Sequence, residues 1–172
     1  KVYLSVTTLD AALARRLEPR AAAPAKRLAA MRALAGAGIP TGVMVAPVIP
    51  GLTDHEIDSI LAAAAEAGAV GAGYVLLRLP LEVKDLFAEW LAAHYPDRAR
   101  RVLALVRETR GGALNDAAFG KRMRGTGAYA ELIARRFRAA AGRLGLTGDG
   151  GDGLDCTRFA PPARTGEQLA LF

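Results

Sequence analysis

The stretch 41-TGVMVAPVIPGLTDHE-56 decides how the rest of the sequence is interpreted. Residues 41–46 form a nearly continuous apolar run, which is typical of a strand with both faces covered in a parallel sheet. Two prolines and a glycine follow and predict an irregular loop over residues 47–52. Thr53 and Glu56 have the spacing of a capping box, so a helix is predicted to begin there and to bury Ile57, Ile60 and Leu61.

Strand and helix patterns alternate on both sides of this stretch. Apolar runs and helical spacing predict two further strands, at 2–6 and 74–77, and three further helices, at 11–17, 24–36 and 81–93. This alternation predicts parallel strands joined by right-handed crossovers, and so an α/β fold. Three parallel strands alone would leave two open edges, so we expect further βα units before residue 1.

From residue 96 the pattern contains helices only, predicted over 97–110 and 129–144 and joined by a glycine-rich basic connection. After Gly145 the sequence is rich in glycine and proline, which predicts a flexible tail. We therefore predict three parts, namely three βα units over 1–95, a helical extension over 96–146 and a tail over 147–172.

Composition limits the classes of protein that fit. The chain has 172 residues, of which 52% are hydrophobic, so it can bury one substantial core. No apolar run reaches the ~20 residues of a membrane helix and nothing resembles a signal peptide, so we expect a cytoplasmic protein without a membrane partner. The single cysteine, Cys156, excludes an internal disulfide and a multi-cysteine metal site built from this chain.

Loops that follow the predicted strands carry the candidate binding residues. Ser5 and Thr7 place hydroxyl groups at the end of the first strand, which is where an α/β barrel builds its site, although they can instead satisfy a turn at the strand end. Arg20 follows and offers a planar cation to a ligand carboxylate, although it can instead cap the short helix or pair with Glu18. The other two loops contain Ile49 and Gly51, and Leu76, Leu77 and Arg78.

Five short segments carry more information together than singly. They are TTLD at 7–10, LEPR at 17–20, GIP at 38–40, VAPVIPGL at 45–52 and LRLP at 77–80. In this order and spacing they resemble the C-terminal half of a radical S-adenosylmethionine barrel, in the spore photoproduct lyase-like group often labelled DNA repair photolyases. The resemblance covers nearly the whole chain.

The resemblance implies an α/β fold that forms the C-terminal half of a partial (β/α)6 barrel. It also implies a 4Fe–4S cluster, held by a CxxxCxxC loop that this chain lacks, so we expect no metal ligand and no activity from the chain alone. The cluster would reduce the sulfonium of S-adenosylmethionine by one electron, and the resulting 5′-deoxyadenosyl radical would abstract hydrogen from a substrate. No catalytic residue is assigned within this chain.

Roles for single residues also follow from the resemblance. Ser5 and Thr7 would contact the ribose or the amino-acid end of S-adenosylmethionine, and Arg20 would bind its carboxylate. The loop with Ile49 and Gly51 would pack against the adenine. The remaining roles are backbone contacts to the adenine edge from Leu76 and Leu77, and a substrate contact from Arg78, for which a surface pair with Glu82 is the alternative.

A basic loop, residues 119–127, interleaves cations with glycines. Lys121, Arg122 and Arg124 lie between Phe119 and Tyr129, a composition that suits phosphate contact with aromatic stacking nearby. The formal net charge of +6 also favours a polyanionic partner. A solvated loop beside a basic helix is the alternative.

The sequence ends in QLALF, residues 168–172. This pentapeptide resembles the QLxLF motif by which bacterial DNA-repair and replication proteins dock onto the sliding clamp. The resemblance implies apolar anchors and one polar contact, from Leu169, Leu171, Phe172 and Gln168. Alternatively, the tail folds back onto the chain.

Three functions remain open at this stage. The first is part of a radical S-adenosylmethionine enzyme acting in DNA repair. The second is a non-catalytic α/β adaptor that brings partners to DNA and the sliding clamp. The third, an ordinary (β/α) barrel enzyme for a phosphorylated metabolite, predicts a glycine-rich phosphate loop that the sequence lacks.

Overall fold

The three predicted strands form one parallel sheet. The computed structural model describes residues 1–146, 156–157 and 159–160. The strands β1 (Val2–Ser5), β2 (Thr41–Val48) and β3 (Gly71–Leu76) pair in the order β1-β2-β3, and both pairs are parallel. The predicted α/β class and the parallel arrangement are therefore confirmed.

Six α-helices lie within the described residues. They are α1 (Ala11–Leu17), α2 (Pro24–Gly36), α3 (Ile57–Glu66), α4 (Val83–His94), α5 (Pro96–Glu108) and α6 (Ala128–Arg143). Proline stands in the first turn of α2 and α5, where its missing N–H leaves no helical hydrogen bond unmade. None of the helices in this part of the chain is long and apolar enough to cross a membrane.

One face of the sheet carries the larger apolar core, which we call the first cluster. Its side chains come from the strands and from α2, α3 and α6. The contribution of α6 includes Phe137, whose ring centroid lies 4.7 Å from that of Tyr74 on β3. The helix that the sequence assigns to an extension thus packs against the sheet.

Within the described residues, no apolar cluster covers the opposite face of the sheet, which we call the open face. Paired residues of parallel strands point to the same side, so Tyr3, Ser5, Gly42, Met44 and Gly73 share this face. None of them belongs to an apolar cluster of the described residues, and Tyr3 remains 40% exposed.

A second apolar cluster lies beyond the carboxyl edge of the sheet. It joins α1, α4 and α5 to the loop that follows β2, through Leu13, Ile49, Leu52, Leu79, Phe87, Leu91, Val102 and Val106. Gly51 has a φ of +74°, and a Cβ there would lie 2.9 Å from Leu105 Cδ1. Glycine therefore lets the loop turn and lets α5 approach its backbone.

The predicted capping box is wrong. The Thr53 hydroxyl accepts a hydrogen bond from the Ile49 N–H, at 2.9 Å. A 3-10 turn at Asp54–Glu56 delays α3 until Ile57, so Glu56 precedes the helix and its carboxylate reaches the end of β1. There it accepts hydrogen bonds from the Leu9 N–H (2.7 Å) and the Thr8 hydroxyl (2.5 Å). The predicted burial of Ile57, Ile60 and Leu61 is confirmed.

Replacement of Gly51 by alanine should destabilise the fold. The positive φ and the contact with Leu105 together predict a loss of about 1–3 kcal/mol in the free energy of unfolding. Gly36→Ala is the matched control, because a Cβ there meets nothing within 4 Å. It lies in α2 and should stabilise by about 0.5–1 kcal/mol. Urea denaturation measures the free energy of unfolding of both variants. An equal change in the two variants would contradict the close approach of α5 to Gly51.

Candidate functional site at the carboxyl edge of the sheet

A cleft lies beyond the carboxyl end of β1, and we call it the β1 cleft. Its volume is about 110 Å³, and its lining includes Thr7, Arg15, Glu18 and Arg27 together with several alanines and prolines. The carboxyl ends of parallel strands are where α/β proteins bind ligands. The cleft is therefore the strongest candidate site on this side of the sheet.

An arginine holds the walls of the β1 cleft together. Arg27, on the first turn of α2, donates from Nη1 to the Ser5 carbonyl (2.9 Å) and from Nε to the Ala22 carbonyl (2.8 Å). Its Nη2 lies 3.1 Å from Glu18 Oε2 in an ion pair. The Thr7 hydroxyl lies 3.0 Å from the Ala46 carbonyl oxygen and 3.3 Å from the same Glu18 oxygen. Strand end, loop and helix are thereby fixed relative to one another.

The predicted residues at this strand end lie in three different settings. Thr7 is buried and lines the cleft. Ser5 is exposed on the open face, and its carbonyl is held by Arg27. Arg20 is exposed and outside the cleft lining, and the ion pair of Glu18 is with Arg27. The cofactor contacts assigned to these residues stay predictions.

Sequence reasoning missed Glu18 and Arg27 as a pair. Glu18 stands inside the LEPR segment, where the resemblance assigns the ligand contact to Arg20, two residues later. Arg27 lies in a helix with many exposed positions, and nothing in its spacing indicates that it faces the end of β1.

The loop with Ile49 and Gly51 is enclosed rather than open. Ile49 is fully buried in the second cluster, and Gly51 lies beneath α5. Asp54 fixes the loop, since its Oδ1 accepts from the Gly51 N–H at 2.9 Å and its Oδ2 accepts from the Tyr129 hydroxyl at 2.5 Å. Burial, and then the hydrogen bond to Asp54, raise the pKa of Tyr129 to about 12. The adenine contact assigned to this loop stays a prediction.

A buried arginine occupies the corresponding position at the end of β3. Arg110, just after α5, donates from Nη2 to the carbonyls of Leu76 (3.1 Å) and Leu77 (2.7 Å). Its Nη1 donates to the carbonyls of Lys121 (3.2 Å) and Arg122 (2.8 Å) in the basic loop. The side chain is only 3% exposed, and desolvation lowers its pKa. Arg110 therefore attaches the basic loop to the end of the strand.

Leu76 and Leu77 use their backbone groups within the protein. Besides the bonds from Arg110, the Leu76 N–H donates to the Met123 carbonyl and the Leu77 N–H to the Val48 carbonyl, each at 2.9 Å. A ligand at these residues would share carbonyls that already accept from Arg110. The contact to an adenine edge stays a prediction.

No local sequence pattern marks Arg110 as a structural residue. It follows a predicted helix in a chain with many arginines, and its four acceptors are backbone carbonyls that any sequence provides. Its role depends on two segments, around residues 77 and 122, that only the folded chain brings together.

Arg78 and the basic loop lie together at the end of β3. Arg78 is half-buried, and none of the ion pairs among the described residues joins it to Glu82. In the loop, Arg122 lies 5.5 Å from the centre of the Phe119 ring, and Phe119 itself is 91% exposed.

The other two loop cations differ in setting. Arg124 lies over the ring of Tyr74 at 4.2 Å, which is close enough for a cation–π interaction. Lys121 is exposed. The loop thus presents cations and one exposed ring to solvent, and its nucleic-acid contacts stay predictions.

The expectation that this chain holds no metal ligand and the partner contacts assigned to its last residues both stay predictions. The described residues contain no group of three or more histidine, cysteine, aspartate or glutamate side chains that could hold a metal ion. The partner contacts assigned to Gln168, Leu169, Leu171 and Phe172 lie outside the described residues.

Comparison with known proteins relates the chain to longer ones. Uncharacterized proteins from Mycobacterium bovis and from two strains of Mycobacterium tuberculosis are 33% identical to it over 150 residues. The aligned region is 86% of this chain and 40% of each relative, so the chain spans about two fifths of the length of these relatives. No family model and no solved structure matches it.

Removal of the Arg110 guanidinium should loosen the basic loop. Arg110→Gln should lower the free energy of unfolding by about 3 kcal/mol or more, because each buried carbonyl left without a donor costs about 1–3 kcal/mol. Urea denaturation measures this, and trypsin should cut the native variant faster at Lys121 and Arg122. The control Arg107→Gln alters an exposed residue of α5 and should stay within about 0.5 kcal/mol of the parent. Equal stability of both variants would contradict the anchoring role.

The pKa of Tyr129 predicts a loss of stability at high pH. Its folded pKa of about 12 exceeds the ordinary value of 10.0, so the neutral phenol is favoured by folding. The contribution is complete below pH 10 and is lost as the pH rises through the folded value. Absorbance titration should show one tyrosine that ionises late, and Tyr129→Phe should remove it. The variant should also lose about 1 kcal/mol of stability at neutral pH, and retention of the late step in it would contradict the assignment.

Proposed function

We propose that this chain contributes the C-terminal half of a partial (β/α)6 barrel to a radical S-adenosylmethionine enzyme. In this proposal S-adenosylmethionine binds at the β1 cleft and extends over the open face of the sheet. The five segments that resemble the family support the proposal, and four of them border the cleft or the ends of β2 and β3. A sheet with one open face is also what half of a barrel would present.

The observation that carries the proposal is the setting of the Glu18 carboxylate. Both the Thr7 hydroxyl and Arg27 bind the same oxygen, Oε2. The other oxygen, Oε1, is left to accept from a ligand, and the side chain is 36% exposed. A carboxylate fixed in this way suits an ammonium group or a ribose hydroxyl.

The residues of the β1 cleft fit part of S-adenosylmethionine. Glu18 offers an acceptor and Arg15 offers donors, which matches a ligand that carries an ammonium group, hydroxyls and a carboxylate. The cleft of about 110 Å³ accommodates only one end of such a ligand. The remainder would lie along the open face, beside Ser5 and Met44.

The iron–sulfur cluster does not fit this chain, since the described residues offer no ligand group for it. We therefore propose that its ligands lie outside residues 1–172. When bound, the cluster and S-adenosylmethionine supply radical chemistry, while this chain binds and orients one end of the cofactor. Its residues also limit the access of water, since Thr7 and Thr8 are buried at the strand end.

The proposed substrate side is the end of β3. Arg78 and the basic loop would contact substrate there, and a DNA substrate is consistent with the cations and the exposed Phe119. We further propose a cytoplasmic enzyme whose terminal QLALF docks on the sliding clamp. The exposed Phe119 and its loop would equally serve a non-catalytic α/β adaptor, which is the second candidate.

Binding of S-adenosylmethionine to the 172-residue chain tests the proposal. Calorimetry should detect binding to the parent chain, and Glu18→Gln should weaken it about tenfold or more, because a hydrogen bond to a charged group contributes about 1.5–3 kcal/mol. Glu66→Gln, an exposed acid on α3, is the control and should bind as the parent does. Melting temperatures exclude loss of folding as the cause.

A second measurement separates the enzyme from the adaptor. The chain extended by a cluster-binding half and reconstituted without oxygen should release 5′-deoxyadenosine, and Glu18→Gln should reduce the yield. If the reconstituted protein has an intact cluster but releases no 5′-deoxyadenosine, the adaptor is favoured. Absence of binding to the parent chain and to the extended protein would overturn the proposal.

A further inference from the structure

Two guanidinium nitrogens near the end of β3 are buried and have no hydrogen-bond partner. They are Nε of Arg78 and Nε of Arg110. Arg110 is 3% exposed, so its Nε donor is withdrawn from water as well as from protein acceptors. Native proteins seldom leave such donors unsatisfied, so each exception needs an explanation, and a bound ion is one of them.

The two side chains are close neighbours. Arg110 Nη2 donates to the Leu77 carbonyl at 2.7 Å, and Leu77 is bonded directly to Arg78. The positive charge of Arg78 also contributes to the lowered pKa of Arg110. The two guanidinium groups are therefore near enough to interact electrostatically at the end of the strand.

The positive charge at this point is only partly offset by a carboxylate. None of the ion pairs among the described residues includes Arg78 or Arg110. Asp116 is the acid that raises the pKa of Arg110, and its Oδ1 already accepts from the Ala118 N–H at 2.8 Å. Arg110 also holds the loop that bears Lys121, Arg122 and Arg124, so three further cations lie nearby.

Like charges brought together in a partly dry setting repel one another, and an anion relieves the repulsion. The guanidinium group matches the geometry of phosphate, because it presents several N–H donors in one plane. Arg110 is almost wholly enclosed and Arg78 is half-buried, so an anion would reach the pair from the side of Arg78. Charge-assisted hydrogen bonds made there would be stronger than in water.

We propose that Arg78 and Arg110 form a binding site for a phosphate group of the substrate, with Lys121, Arg122 and Arg124 at its rim. The proposal rests on the proposed function only in taking the end of β3 as the substrate side, and it does not require S-adenosylmethionine. The phosphate belongs to a nucleic-acid backbone or to a phosphorylated small molecule. Both sources share the chemistry, and the experiment distinguishes them.

The test titrates the 172-residue chain with inorganic phosphate, a 5′-mononucleotide and a short single-stranded DNA, at several salt concentrations. Arg78→Gln should weaken binding of the ligand that binds best by tenfold or more. It should also reduce the slope of log Kd against log salt by about 1 if that ligand is DNA. Arg32→Gln, an exposed arginine of α2, is the matched control and should bind as the parent does.

Two further comparisons separate a built phosphate site from a general effect of positive charge, and loss of binding from loss of folding. Arg78→Lys keeps the charge but loses the planar donors, so it should recover little of the binding, whereas full recovery would overturn a built phosphate site. Arg78 makes no protein hydrogen bond through Nε, so its variants should fold with a melting temperature near that of the parent.

The outcomes separate the sources of the phosphate and the two proposals. Tighter binding of DNA than of the mononucleotide supports a nucleic-acid backbone, and the reverse supports a phosphorylated small molecule. Equal binding by the parent and Arg78→Gln to all three probes overturns the site. The titrations contain no S-adenosylmethionine, so failure here leaves the cofactor result at Glu18 unaffected, and the converse also holds.

Discussion

The Arg110 guanidinium is the interaction on which the β3 side of the molecule depends. Its terminal nitrogens bind carbonyls at the end of β3 and in the basic loop, and its backbone continues from α5. Without it the loop would have a single backbone bond to the strand, from the Leu76 N–H to Met123. The Arg110 side chain thus fixes the position of the basic loop relative to β3.

At the end of β1 a different arginine, Arg27, connects neighbouring segments in a similar way. Arg27 also uses its donors on backbone carbonyls, at Ser5 and Ala22, but it adds an ion pair with Glu18. The carboxylate makes this end suited to a cationic or hydroxylated ligand, whereas the end at Arg110 has two unpaired donors and suits an anion. The two outer strands of the sheet thus end, at its carboxyl edge, in settings of opposite chemical character.

Local signals predicted most of the fold, and contacts across space account for what they missed. Apolar runs and the prolines that begin α2 and α5 are properties of short segments, so the order and type of the elements followed from them. β3 begins three residues before the prediction, at Gly71, because glycine is a poor strand signal. Glu56, Arg27 and Arg110 each bind groups remote in sequence, and no spacing rule identifies such partners.

The side chains of Tyr3 and Met44 determine the depth of the open face of the sheet. A Cβ on Gly42 would lie 2.3 Å from the Tyr3 ring, and one on Gly73 would lie 2.7 Å from the Met44 sulfur. Tyr3 and Met44 therefore lie flat across the glycines of the neighbouring strands. Rotation of these two side chains about χ1 would expose bare backbone and deepen the face into a trough, with no movement of the strands. The contour of this surface is thus governed by rotamers, and a flat ring or a bulkier group can be received by the same backbone.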